Sequence, residues 1–127
     1  MDSKRMVTRD FTSAAIQTLA GLDRDQFPIA AAFISPDEDG TKYLFIFSGL
    51  VDLLGPRAAY SRLQNVLRGV SGGVPLQLIR LLSGRRPEVN ALRATISVPV
   101  GSSIHFRNSN MNGIFFEDMT LLRTPPL

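Results

Sequence analysis

The sequence predicts an α+β domain: a largely antiparallel sheet of five to six strands with two helices, in the order α-β-β-α-β-β-β-β. Three observations carry that expectation. Two segments, 9–22 and 55–73, place apolar residues at helical spacing. Between and after them lie short runs rich in aromatic and branched residues, each bounded by turn residues such as "PDEDG" (36–40) and "NG" (112–113). No internal repeat on the scale of roughly 20–50 residues is present. At 127 residues the chain suits one domain with its own core, expected over 1–127 with 1–8 and 123–127 as loose tails.

The first helix is expected over "RDFTSAAIQTLAGL" (9–22), where Phe11, Ala15, Leu19 and Leu22 share a face. Thr8 or Asp10 would cap its start and Gly21 would stop it. "FPIAAAFIS" and "TKYLFIFSG" flank the acidic turn and predict an antiparallel strand pair, with Pro28 at the entrance because it cannot donate to a ladder. The second of these strands is apolar on both faces: Tyr43, Phe45 and Phe47 on one, Leu44 and Ile46 on the other. It should be an interior strand covered on both sides. "GPRAAYSRLQNVLRGVSGG" predicts the second helix, opened by Pro56 and ended within Gly69–Gly73. Its apolar stripe is Ala59, Leu63, Val66, Leu67 and Val70; Arg57, Ser61, Gln64, Asn65 and Arg68 form a solvated face. "LVDLL" (50–54) either extends this helix backwards or forms a separate turn broken at Gly55-Pro56. Four more strands follow, among them 74–84 and 91–101, joined by "RRPEVN" as a hairpin loop. The second alternates Leu92, Ala94, Ile96, Val98 and Val100 against polar positions.

The last two strands can be put in register from the sequence. Asn112-Gly113 suits a type I′ turn, which needs positive φ at both central residues. Paired residue numbers then sum to 225, setting Ile104 opposite Leu121, Phe106 opposite Met119, His105 opposite Thr120 and Arg107 opposite Asp118. A slip of one residue would set Phe106 against Asp118, so the apolar pairing selects this register. The polar face then carries His105, Arg107 and Asp118, with Arg107 and Asp118 expected as a cross-strand ion pair.

Composition narrows the function classes. There is no cysteine and one histidine, which excludes thiol nucleophiles, disulfides and Cys- or His-rich metal sites. No apolar h-region opens the chain and no apolar run suits a membrane helix, so a cytoplasmic protein is expected. Hydrophobic residues make up 44% and mean hydropathy is slightly positive, which leaves room for apolar burial between subunits. Net charge is +3 and only Lys4 and Lys42 are lysines; arginine pairs bidentately with phosphate and carboxylate.

No phosphate loop, dinucleotide fingerprint, zinc-protease helix or serine-hydrolase elbow is present. "PDEDG" matches only a fragment of a calcium loop, since Ser35 and Ile46 would occupy ligand positions. The glycines of "GVSGG" (69–73) follow a helix instead of opening one, which suits a helix stop. "RTPPL" reads as a frayed end. The expected function is therefore a non-enzymatic protein–protein interaction or assembly module. It would self-associate as a homo-oligomer, or dock to a larger partner, through an apolar sheet face or edge. No cofactor, metal or membrane partner is expected. A second class is a nucleic-acid- or anion-binding module using Arg80, Arg85, Arg86 and Arg93. A third is a small-ligand pocket between helices and sheet, with His105 and Asp118 inside it.

Overall fold

The structure is a computed structural model that describes the backbone of residues 3–125 and the side chains of residues 11–125. The elements are α1 (Ser3–Arg24), β1 (Ala31–Pro36), β2 (Lys42–Ser48), α2 (Gly49–Leu54), α3 (Pro56–Leu67), β3 (Ile79–Ser83), α4 (Pro87–Thr95), β4 (Ile104–Met111) and β5 (Ile114–Arg123), with a 3-10 turn at Leu76–Leu78. The α+β class is as expected. Within it the sheet is mixed, and the described residues form four helices where two were expected. The five strands lie in the order β3-β2-β1-β5-β4. β3 runs parallel to β2, and the other neighbours are antiparallel.

The parallel pair follows from the connection. A tight hairpin joins β1 to β2, but α2, α3 and the 3-10 turn separate β2 from β3. Such a crossover carries the chain back over one sheet face, so β3 enters from the same end as β2. Of the run 74–84, only Ile79–Ser83 is strand.

The expected strand over 91–101 is the main correction. Residues 87–95 are α4; Ile96 is extended, and 96–99 belong to no strand. Pro87 stands at its first turn, Glu88 in that turn and Arg93 in the last, charges that complement the helix dipole. Val89 and Leu92 are three apart and both are buried against the sheet. "RRPEVN" is thus a helix entrance, not a hairpin loop.

α1 begins at Ser3, so residues 3–8 are helical where a tail was expected, and Thr8 and Asp10 lie inside the helix instead of capping it. Thr124 is also tied in: its Oγ1 accepts the Val98 amide at 3.1 Å. Residues 1, 2, 126 and 127 lie outside the described residues. α2 and α3 are separate helices; Ser48 caps α2 by accepting the Leu50 amide, and Gly55, at φ 89°, breaks the chain between them.

Two apolar layers cover the sheet. On one face α1 and α3 bury Ala15, Leu19, Leu22 and Leu63 against Ile34, Leu44, Ile46 and Ile79. On the other, α4 and the β4–β5 hairpin cover Phe33, Phe47, Met119 and Leu121. β2 is interior, as its two apolar faces require, with Leu44, Ile46 and Phe47 fully buried. Phe33 stacks on Phe45 at 5.2 Å and meets Phe116 edge-on at 5.7 Å.

Candidate interaction surface

The β4–β5 register is the one expected. Ile104 pairs with Leu121, Phe106 with Met119, Arg107 with Asp118 and Met111 with Ile114. Asn112 and Gly113 have φ 50° and 87°, as a type I′ turn demands. One feature of the hairpin is absent from the pairing sum. Phe106 and Met119 turn inward before Asn108, whereas Met111 and Phe116 turn inward beyond it. The buried parity therefore changes between 106 and 109. Asn108 itself has φ 47°, a left-handed conformation that asparagine tolerates better than most residues. The strand is bent there, and the hairpin tip folds over the Phe33 cluster.

On the outer face, Asp118 is held from two sides. Its carbonyl accepts Ser35 Oγ at 2.7 Å, and its carboxylate Oδ1 lies 2.6 Å from His105 Nε2. The expected partner was Arg107. It stands opposite Asp118 in register, but among the described residues the carboxylate pairs with the diagonal His105 instead. The pair is open to water, with side chains 50% and 41% exposed. An exposed pair of this kind orders two side chains without building a dry site for proton transfer. Next to it lies a cleft lined by Ser35, Asp37, Glu38, Glu117 and Asp118. Asp37 Oδ1 is already used there, accepting the amides of Asp39 and Thr41 at 2.9 and 3.0 Å. Among the described residues no three His, Asp or Glu side chains are grouped to hold a metal ion.

The four arginines expected to form a patch are not presented together. Arg80 stacks on the Tyr43 ring, 4.0 Å from its centroid. Arg86 pairs with Glu88 at 3.2 Å in the first turn of α4. Arg93 is exposed on α4, and Arg85 lies exposed beyond the end of β3. There Asp52 accepts Ser83 Oγ and the Gly84 amide, a clasp that fixes α2 to the end of β3. Between α1 and β5 the structure leaves an apolar slot of only about 70 Å³. It is closed on one side by the two-point Arg123–Asp23 pair at 3.1 and 2.9 Å.

The two sheet edges are unlike, which sequence reasoning missed. At the β3 edge, the Leu81 amide donates to Tyr60 Oη of α3 at 2.9 Å. At the β4 edge, all backbone partners among the described residues lie on β5. The β4 edge runs eight residues without proline. No helix of the described residues is long and apolar enough to cross a membrane. No protein-family model, curated protein or solved structure matches the chain.

Proposed function

We propose that this chain is a non-enzymatic assembly module that self-associates by pairing the β4 edge with β4 of a second copy. The observation that carries the reading is the asymmetry of the edges: Tyr60 occupies an outward amide on β3, whereas among the described residues β4 takes backbone partners from β5 alone, and Ser109 Oγ on the Arg107 carbonyl is a contact within the strand. Unpaired edges are templates for strand addition, and folded proteins ordinarily blunt them. An edge suits the molecule better than a face, because both sheet faces are already covered by helices or by the hairpin tip.

The bend at Asn108 limits pairing to Ile104–Arg107. Within that segment, antiparallel pairing of two copies with a residue sum of 210 sets Ile104 opposite Phe106. A slip of one residue either way opposes Ile104 to the polar His105 or Arg107. Sedimentation across micromolar concentrations is expected to show a monomer–dimer equilibrium. Hydrogen exchange should then slow, as concentration rises, at those amides of 104–107 that face away from β5, with Ile79–Ser83 unchanged. A monomer throughout, or a dimer whose β4 amides exchange at the monomer rate, overturns the reading.

A further inference from the structure

Charge along this chain is segregated. Between Leu53 and Pro87 there are six arginines (Arg57, Arg62, Arg68, Arg80, Arg85 and Arg86) and no aspartate or glutamate. The other eight of the fourteen basic residues share the rest of the chain with all eleven acids. Inside that acid-free stretch, α3 buries Ala59, Leu63 and Val66 and leaves Arg57, Ser61, Arg62, Gln64, Asn65 and Arg68 exposed. Every charge on the helix's solvent face is thus positive, and the neutral residues between them are Ala58 and the amide and hydroxyl donors Ser61, Gln64 and Asn65. At 1.5 Å rise per residue, Arg57 to Arg68 spans about 16 Å.

From this we infer that α3 binds the phosphate backbone of a double-stranded nucleic acid, with Arg57 and Arg68 on its outward line and Arg62 on its exposed flank as the phosphate contacts. Arginine, serine, asparagine and glutamine are among the side chains that contact nucleic-acid phosphate. The face presents no aromatic for base stacking: Tyr60, the one aromatic of α3, is half-buried with its hydroxyl on Leu81. That favours a duplex over a single strand. The inference is independent of the β4 pairing, since α3 packs against β3, at the opposite end of the sheet.

Fluorescence anisotropy with labelled duplex DNA, duplex RNA and the corresponding single strand tests it on the intact chain. Three phosphate contacts predict a slope of log affinity against log salt of about −2.7, so a fourfold rise in salt weakens duplex binding about forty-fold. Each of Arg57→Gln, Arg62→Gln and Arg68→Gln should lower that slope by about one, and the triple variant should lose it. All three positions are exposed, and circular dichroism checks that the helix persists. Arg85→Gln with Arg86→Gln should leave the slope unchanged. The two duplex arms decide between DNA and RNA. The inference fails if no duplex binds at low salt, if the triple variant keeps the wild-type slope, or if the single strand binds more tightly than either duplex. It also fails if polyglutamate binds as tightly as the duplex, which would assign the face to an acidic protein.

Discussion

Gly21 shows how a single residue can invert an ordinary rule. Glycine inside a helix costs about 1 kcal/mol relative to alanine, so Gly21→Ala should stabilise α1 on propensity alone. A Cβ at Gly21, however, would sit 2.3 Å from Val70 Cγ2. Overpacking of that kind costs about 1–3 kcal/mol, which exceeds the helix gain. Gly21→Ala is therefore expected to lower stability in urea denaturation, and Val70→Ala in the same chain should recover part of the loss. The sequence makes Gly21 look like a helix stop; nothing in it reveals that α1 continues to Arg24 against the 70–74 turn. Gly73 is constrained in the same way, because a Cβ there would lie 2.9 Å from Thr18 Oγ1, the atom that accepts the Val74 amide. By contrast His105→Gln removes only a half-exposed contact and should shift stability by less than about 1 kcal/mol. A loss of several kcal/mol would mean that the pair organises more of the hairpin than its exposure implies.

At the scale of elements, Tyr60 is the residue on which the edge asymmetry depends. Tyr60→Phe keeps the ring packed in α3 and removes the hydroxyl that accepts the Leu81 amide. Leaving a partly buried amide unpaired costs about 1–2 kcal/mol. Beyond the loss of stability, the Leu81 amide should exchange faster, and light scattering should detect larger species as a second edge becomes available. Unchanged exchange at Leu81 would contradict the blocking role. Legibility also divides by element. The β4–β5 register was readable because Asn112-Gly113 fixes the turn and Phe106 and Met119 penalise any slip. α4 was not, because Leu92, Ala94, Ile96, Val98 and Val100 alternate like a strand, although Pro87, Glu88 and Arg93 mark a helix. The orientation of β3 depends on a crossover of some thirty residues, whose path leaves no local periodicity. The His105–Asp118 contact was missed because register fixes which residues are neighbours, while rotamers choose between the direct and the diagonal partner.

For the whole molecule, the two proposed surfaces combine into a geometric consequence. Pairing two five-stranded sheets through β4 makes a continuous ten-stranded sheet in which the two α3 helices ride near opposite ends. α3 overlies the β3 side, so about eight strand steps separate the two copies, or about 38 Å at 4.8 Å per step. Neighbouring strands rotate by about 20° per step. Eight steps accumulate about 160°, so the two arginine faces point to nearly opposite sides of the dimer. A single straight duplex then cannot lie on both faces, and lengthening the duplex brings no avidity. The expected outcome is a dimer that holds two separate duplexes. Energy transfer between donor- and acceptor-labelled duplexes should appear on adding the protein, rise with the dimer fraction, and vanish in the Arg57→Gln/Arg62→Gln/Arg68→Gln variant. A sharp gain in affinity once the duplex exceeds the span between the helices, with no transfer between duplexes, would mean the two faces lie on one side. That would contradict the twisted ten-stranded sheet while leaving the α3 contact intact.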